Sequence, residues 1–212
     1  MNELLRRMGG LGVMPVISLP RAGMAEPLAE ALARGGLPAA EIGLRTEAAV
    51  EGIARMRKAR PDMLVGAGTV LTLDQAQACL DAGARFIVAP GYDDALVDFC
   101  LERGVPVIPG ICTASELTRA VNKGLAAVKF FPAEAMGGLK TLKALAGPFA
   151  DVLFMPTGGV NPGNMADYLA WERILTVGGT WLAKKDVLER GDFDEIARLA
   201  REAMDIVAPF RP

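Results

Sequence analysis

A lysine and a glutamate each stand inside an apolar segment that is otherwise typical of a buried β-strand. Lys129 lies in AVKFF and Glu41 lies in AAEIG. Burying such a charge costs on the order of several kcal/mol unless the group is paired or neutralised. Because alternate residues of a strand share a face, Glu41 shares its face with Arg45. If both strands turn these faces inward, Lys129, Glu41 and Arg45 converge on one cavity.

The chemistry of such a cluster is that of an activated amine. Burial and a neighbouring cation both disfavour the ammonium form of Lys129, and a neutral amine attacks a carbonyl carbon to give a carbinolamine and then a Schiff base. Glu41 would carry the protons of that sequence, and the guanidinium of Arg45 suits a substrate carboxylate. The alternative is a buried Lys129–Glu41 salt bridge without a catalytic role. Three charged residues together favour catalysis.

The chain of 212 residues contains no histidine. This excludes a Ser-His-Asp triad, a Cys-His pair and every metal site that needs imidazole. Proton transfer must then depend on carboxyl, amine, hydroxyl or thiol groups, on water or on the substrate. We therefore expect no metal site and no histidine-based mechanism.

The composition predicts one globular domain over residues 1–212, since 51% of the residues are hydrophobic and 23% are charged. The net charge is −2 and the basic residues are scattered, so we expect neither a nucleic acid nor an anionic membrane as partner. No segment approaches the roughly 20 apolar residues of a transmembrane helix. The N-terminal segment loosely imitates a signal peptide, but Pro15, Pro20 and Arg21 interrupt it, and we interpret it as part of the folded domain.

The three cysteines show no CxxC spacing and leave an odd count. This pattern is typical of free thiols in a reducing compartment, so we expect a cytoplasmic protein. Cys79 and Cys100 fall at helix-like core positions, whereas Cys112 follows a predicted strand near the candidate site.

Short apolar strands alternate with helical segments along the whole chain. The predicted strands cover residues 13–18, 39–44, 64–69, 85–90, 105–110, 126–131, 152–157 and 174–179. Two of the predicted helices cover residues 46–61 and 72–84, with Thr46 and Thr72 as their N-caps. Eight such units predict an α/β fold, a closed (β/α)8 TIM barrel with an extra N-terminal helix. The rival is an open doubly wound sheet, whose GxGxxG after the first strand is absent.

Two glycine pairs follow the seventh and eighth predicted strands. Gly158 and Gly159 lie in PTGGVNP, and Gly178 and Gly179 lie in VGGT. Glycine lets backbone N–H groups approach an anion closely, and barrel phosphate sites are often built from these two loops. The two pairs together predict a phosphate site.

At these residues the sequence resembles the 2-keto-3-deoxy-6-phosphogluconate (KDPG) aldolase family, which is bifunctional with 4-hydroxy-2-oxoglutarate (KHG) aldolase. The motifs that carry the resemblance are PVI, EIGLRT, VGAGTV, APG, PVIPG, VKFFPAE, GPF, PTGGV and GGTWL. They run along nearly the whole chain, and VKFFPAE, with Lys129, is highly specific. Gly43 and Thr180 depart from the family pattern, which has a bulkier residue, often Thr, at the first position and Ser at the second.

The resemblance implies a class I mechanism without a metal or other cofactor, on a (β/α)8 barrel that assembles as a homotrimer. It implies that Lys129 forms the Schiff base and that Glu41 transfers protons. The implied pyruvate pocket consists of Arg45, Thr69 and Pro90, with Arg45 nearest the carboxylate. Thr157 is implied to orient the substrate hydroxyls. The implied phosphate ligands are Gly158, Gly159, Gly178, Gly179 and Thr180.

The expected function is therefore the cleavage of KDPG to pyruvate and D-glyceraldehyde 3-phosphate by a carbon–carbon lyase. The family's second reaction, which converts KHG to pyruvate and glyoxylate, is a further expectation. One alternative is a sugar-phosphate isomerase or epimerase on the same barrel, which leaves Lys129 unexplained. Another is a non-catalytic barrel that binds a phosphorylated ligand. Trapping an imine with borohydride separates the aldolase from both.

Overall fold

Short parallel strands alternate with helices along the chain in the structure, a computed structural model that describes residues 2–211. The strands are β1 (Val13–Ile17), β2 (Ala39–Gly43), β3 (Leu64–Gly68), β4 (Ile87–Val88), β5 (Val107–Ile108), β6 (Gly110–Ile111), β7 (Ala127–Phe130), β8 (Leu153–Pro156) and β9 (Val177–Gly179). The helices are α1 (Glu3–Leu11), α2 (Ala25–Arg34), α3 (Ala49–Ala59), α4 (Leu73–Asp81), α5 (Asp94–Glu102), α6 (Ala114–Asn122), α7 (Gly138–Ala146), α8 (Met165–Leu169), α9 (Lys185–Arg190) and α10 (Phe193–Val207). Short 3-10 turns cover Ala22–Met24, Trp181–Ala183 and Ala208–Phe210.

All strand pairs are parallel, and they form two sheets. Six strands lie in the order β5-β4-β3-β2-β1-β9, and three lie in the order β6-β7-β8. Single parallel bridges join Phe154 to Ile174 and Thr157 to Gly178, next to β8 and β9. The strands are buried on both faces, which explains their continuous apolar sequences.

The strand register decides which side chains point inward. Glu41 pairs with Val16 on β1 and with Gly66 on β3, while Lys129 pairs with Gly110 on β6 and with Met155 on β8. Paired residues of neighbouring strands point to the same face. The Glu41 and Lys129 side chains lie on strands of different sheets and contact each other. The two sheets therefore curl around a common interior.

The predicted α/β fold with parallel strands and an N-terminal helix is confirmed, and two local predictions are wrong. Residues 105–110 do not form one strand, because Pro109, which has no backbone N–H, separates β5 from β6. Thr46 does not cap α3; its hydroxyl donates to the Leu19 carbonyl at 2.7 Å instead. Thr72 does cap α4, since its side chain accepts from the N–H of Gln75.

None of the helices in residues 2–211 combines the length and the apolarity that crossing a bilayer requires.

Candidate active site

The predicted meeting of Lys129 and Glu41 occurs in the structure. Lys129 Nζ lies 3.3 Å from Glu41 Oε1, and the two residues are 4% and 0% exposed. The ring centroid of Phe131, which directly follows β7, lies 5.5 Å from Nζ. An ammonium can donate three hydrogen bonds, and Nζ donates one to the residues described. The amine is thus held in place with most of its bonding capacity free.

Only one of the two Glu41 carboxylate oxygens has a hydrogen-bond partner among the described residues. A Cβ at Gly68 on β3 would overlap Oε1, so a glycine at this position makes room for the glutamate. The second oxygen, Oε2, is buried and has no hydrogen-bond partner in residues 2–211. A buried oxygen without a partner is costly in a purely structural ion pair. Its free lone pairs suit a ligand or water that arrives with a proton to exchange.

Arg45 and Thr69 form a second pair at the carboxyl ends of β2 and β3. Arg45 is exposed, and its Nε donates to Thr69 Oγ1 at 3.4 Å. Thr69 has φ 57°, the one positive φ of a non-glycine residue in the described chain. A threonine in this region is strained, and such strain is found most often at functional sites. The bond holds the Arg45 side chain beside Thr69 at this end of the two strands.

Pro90 follows β4 at the same end of the sheet. Its carbonyl approaches the backbone of Gly110 so closely that a Cβ there would overlap it. A cavity of about 160 Å³ lies beside Pro90, between Val70, Leu71 and Tyr92. A larger cavity, of about 500 Å³, lies beside Glu134, Gly138 and Asn164, and cavities of about 330 and 390 Å³ lie at the opposite end, before β7. Neither Lys129 nor Glu41 lines them, so cavity size alone would point away from the charged pair.

The loop after β8 has an unusual backbone arrangement. The carbonyls of Thr157 and Gly158 accept hydrogen bonds from the N–H groups of Ala133 and Glu134 at 2.8 and 3.0 Å. The Gly159 carbonyl accepts from side-chain amides. Each of these carbonyls shares a peptide group with the N–H of the next residue, and that N–H points in the opposite direction. The N–H groups that follow, those of residues 158, 159 and 160, donate to no described residue.

Positive φ values at two successive glycines make this loop possible. Gly158 has φ 99° and Gly159 has φ 84°, a region that other residues rarely adopt. Successive N–H groups facing one side form a concave anion-binding nest. Thr157 itself is buried, and its hydroxyl lies 3.4 Å from the Met155 carbonyl, to which it donates.

The second glycine pair lies directly beside the first. Gly178 bridges Thr157, and a Cβ at Gly178 would overlap the Thr157 hydroxyl. A Cβ at Gly179 would overlap the Trp181 ring. Thr180 is exposed, and its N–H donates to no residue in 2–211. Both glycines are therefore needed for close packing, and Thr180 adds a free N–H and a hydroxyl next to the first loop.

Two asparagines that the sequence analysis passed over shape the first glycine loop. Asn161 and Asn164 both donate from their side-chain amides to the Gly159 carbonyl, at 3.0 and 3.3 Å. The signal was present in GGVNPGN, where two asparagines flank a Pro-Gly turn directly after the glycines.

The cysteine thiols are poor nucleophiles here. Burial raises the pKa of Cys79 and of Cys100 to about 11. Burial, and then the neighbouring carboxylate of Glu116, raise the pKa of the half-buried Cys112. All three are free thiols, as predicted. Within the described residues no three Cys, Asp or Glu side chains gather as a metal-binding group.

Comparison with known proteins gives one consistent result. The family model described as KDPG and KHG aldolase matches residues 4–199. The KHG/KDPG aldolase of Escherichia coli K12 is 48% identical over 193 residues, which cover 91% of each chain.

Solved structures agree with the sequence relatives. The KDPG aldolase of Legionella pneumophila, solved with pyruvate captured at low pH as a covalent carbinolamine intermediate, superposes with a TM-score of 0.91 at 36% identity. The match covers 95% of this chain and 98% of that one. The enzyme of Zymomonas mobilis ZM4, solved with 3-phosphoglycerate, gives 0.88 at 38% identity, covering 95% of each chain.

These findings confirm the resemblance and the enzyme class, a carbon–carbon lyase. This chain belongs to the KDPG and KHG aldolase family.

Proposed function

We propose that the protein cleaves KDPG to pyruvate and D-glyceraldehyde 3-phosphate through a Schiff base on Lys129. The observation that carries this proposal is the nearly buried amine 3.3 Å from a carboxylate whose other oxygen has no partner among the described residues. In a purely structural ion pair, a hydrogen-bond donor to that oxygen would increase stability. A group that transfers protons needs the oxygen to remain available.

This geometry supports the following steps. The Lys129 amine adds to the C2 carbonyl of the substrate, and loss of water from the carbinolamine leaves an iminium ion. Glu41 takes the proton of the C4 hydroxyl, directly or through water. The C3–C4 bond then breaks, its electrons pass into the iminium to form an enamine, and the aldehyde leaves. Protonation of the enamine at C3 and hydrolysis of the imine release pyruvate and the free amine.

The pyruvyl end of the substrate is assigned to Arg45, Thr69 and Pro90. The guanidinium of Arg45 binds the carboxylate, for which a planar set of donors is well suited. The bond from Arg45 Nε to the strained Thr69 supports this assignment, since it joins the two residues at the carboxyl ends of β2 and β3. Pro90 borders the pocket from β4. Thr157 is assigned to the substrate hydroxyls.

The phosphate is assigned to the two glycine loops. The free N–H groups of Gly158, Gly159 and Val160, together with that of Thr180, support a site for a dianion. Gly178 and Gly179 keep the second loop close enough to take part. Cleavage of KHG, which has no phosphate, follows as a slower second activity of the same amine.

We further propose that the two sheets form one closed (β/α)8 barrel. The bridge from Thr157 to Gly178 supports closure between β8 and β9, and the single residue Pro109 between β5 and β6 supports closure on the other side. We also propose a cytoplasmic homotrimer, in line with the free thiols and with the exposed apolar side chains of Leu71 and Leu73. Light scattering tests the trimer, and a concentration-independent monomer mass would contradict it.

Reductive trapping tests the central assignment. Pyruvate with borohydride should inactivate the enzyme and leave a stable adduct on the peptide that contains Lys129. The exposed Lys140 serves as the reference site, because its side chain lies in solvent and outside the apolar interior that holds Lys129. Label spread over several lysines, or absent from the VKFF peptide, would refute the Schiff base. That result would favour an isomerase, an epimerase or a non-catalytic binding protein.

A further inference from the structure

Asn164 has the position of a helix cap but does not use its side chain for capping. It directly precedes α8, where an asparagine side chain usually accepts a hydrogen bond from the first turn of the helix. No such bond forms. Its Oδ1 accepts from the N–H of Asn161 at 2.8 Å, and its Nδ2 donates to the Gly159 carbonyl at 3.3 Å. The side chain is therefore turned back toward the glycine loop.

Asn161 completes a clamp on the same carbonyl. Its Nδ2 donates to Gly159 at 3.0 Å, and its Oδ1 accepts from the N–H of Gly163 at 2.9 Å. The backbone closes the same turn, because the carbonyl of Asn161 accepts from the N–H groups of Asn164 and Met165. Two side-chain amides thus converge on one backbone oxygen.

The two amides hold the Gly159–Val160 peptide, which has the fewest backbone hydrogen bonds in this loop. The carbonyls of Thr157 and Gly158 are fixed by N–H groups of the segment after Lys129. The Gly159 carbonyl accepts no backbone hydrogen bond from the described residues, and its only donors there are the two amides. Because glycine adopts either sign of φ at little cost, this peptide could rotate if the amides were removed. Rotation would turn the Val160 N–H away from the loop's open side and turn a carbonyl oxygen toward it.

We infer that Asn164, with Asn161, is a positioning residue for substrate phosphate: it holds the Gly159–Val160 peptide with its N–H facing the anion. Neither side chain needs to touch the substrate. This inference rests on the proposed phosphate site and adds the residues that keep it in its binding geometry. It also explains why Asn164 lies at the N-cap without capping.

The test compares KDPG with 2-keto-3-deoxygluconate, which lacks only the phosphate. Asn164→Ala should lower kcat/KM for KDPG about tenfold, as expected from the loss of one hydrogen bond and a looser peptide. Most of the change should lie in KM. For the unphosphorylated compound kcat/KM should change by less than about twofold. Asn161→Ala should give the same selective pattern, and the double variant should lose more than either.

Asn122→Ala is the matched control, because Asn122 is exposed on α6 and its side chain makes no hydrogen bond to the described residues. Equal losses for both substrates, or no loss for either, would overturn the inference. If Asn164→Ala does not fold, Asn161→Ala on its exposed turn decides by the same criterion. A wild-type enzyme with equal kcat/KM for both compounds would overturn the phosphate site itself. A wild-type preference that Asn164→Ala keeps would overturn the positioning role alone.

Discussion

The two ends of the parallel strands treat buried polar groups in opposite ways. At the carboxyl ends, Glu41 keeps a buried oxygen without a partner and the loop after β8 keeps three N–H groups free, within the described residues. At the amino ends, three half-buried guanidinium groups donate hydrogen bonds to backbone carbonyls, although the buried Thr176 hydroxyl there has no partner among the described residues. We call these regions the open end and the closed end.

Three arginines, Arg57, Arg173 and Arg211, donate hydrogen bonds at the closed end. Arg57 donates to the carbonyls of residues 61 and 63, and Arg211 donates to those of residues 9, 174 and 210. Arg173 donates to the carbonyls of residues 146, 149 and 152. Burial lowers the pKa of all three guanidinium groups. Each arginine donates to carbonyls at the end of a helix or in a turn, where backbone donors are scarce.

The difference shows which interactions serve stability and which serve chemistry. Half-buried charges that donate to several carbonyls stabilise the native chain, and removing such a donor leaves carbonyl groups unpaired. A buried charge with free capacity contributes less stability and is ready for a ligand. Substitutions at the open end should therefore abolish activity without unfolding the protein, and substitutions at the closed end should do the reverse.

Replacing both members of the charged pair is the strongest test of this contrast. In Glu41→Met/Lys129→Met we expect the cleavage rate to fall by on the order of 10⁴-fold or more, because the nucleophile is gone. The free energy of unfolding should stay the same or rise by about 1–4 kcal/mol, since apolar residues of similar volume often replace a buried ion pair without loss. Denaturant unfolding and a pyruvate-release assay measure the two quantities.

Lys140→Met is the control for that variant, since this lysine is exposed and forms no ion pair with a described residue. A double variant that keeps measurable turnover would mean that the reaction does not use Lys129. A large loss of stability would mean that the open end supports the fold as strongly as the closed end.

A single substitution at the open end should separate proton transfer from binding. Glu41→Gln keeps the size of the side chain but removes the exchangeable proton, so kcat should fall about 10²–10⁴-fold while substrate affinity changes little. Single-turnover rates and the extent of imine trapping by borohydride measure the two effects. Nearly unchanged kcat would show that Glu41 only neutralises the lysine.

Much of the open end could be predicted from the sequence, because a charge inside an apolar strand is visible without a structure. Period-two alternation correctly brought Glu41 and Lys129 into one interior. One charged residue inside each of two apolar strands was sufficient for that inference. The two glycine pairs identified the neighbouring loops.

The errors and omissions have a common cause, which is competition for hydrogen bonds across the fold. Thr46 has the sequence context of an N-cap, but the Leu19 carbonyl takes its hydroxyl. Asn164 has the position of a cap, but the Gly159 carbonyl takes its amide. Arg173 binds carbonyls that precede it by 21 to 27 residues. No local pattern contains such partners, so the closed end could not be predicted residue by residue.

At the closed end, removal of one arginine should cost stability and leave the chemistry intact. Arg173→Met removes a donor from three carbonyls, of which that of residue 146 still accepts from the N–H of Phe149. It also removes a guanidinium 5.2 Å from the Phe154 ring and 5.6 Å from the Trp171 ring. We expect the free energy of unfolding to fall by about 2–4 kcal/mol. At a temperature where the variant stays folded, kcat should change by less than about twofold.

The surface arginine Arg190 is the matched control. It pairs with Asp186 at 2.9 Å, one helical turn away, and both side chains are more than half exposed. Arg190→Met should cost less than about 0.5 kcal/mol. Equal destabilisation by the two substitutions would show that the carbonyl contacts of Arg173 have no special weight.

The smallest effect concerns a bidentate pair near the closed end and appears only in acid. Arg60 donates to both carboxylate oxygens of Asp62, at 3.0 and 2.9 Å, and this lowers the pKa of Asp62 from 3.8 to about 2. A carboxyl group with a lowered folded pKa stabilises the native state above its unfolded pKa, and the contribution disappears as the pH falls through the folded value. Between about pH 4 and pH 2 the unfolded chain therefore binds a proton that the folded chain does not. Asp62→Asn should flatten the decline of stability in that window and leave the pH dependence near neutrality unchanged. Urea midpoints measured from about pH 6 down to about pH 2.5 test this, and parallel acid limbs for the two proteins would show that the pair does not form in solution.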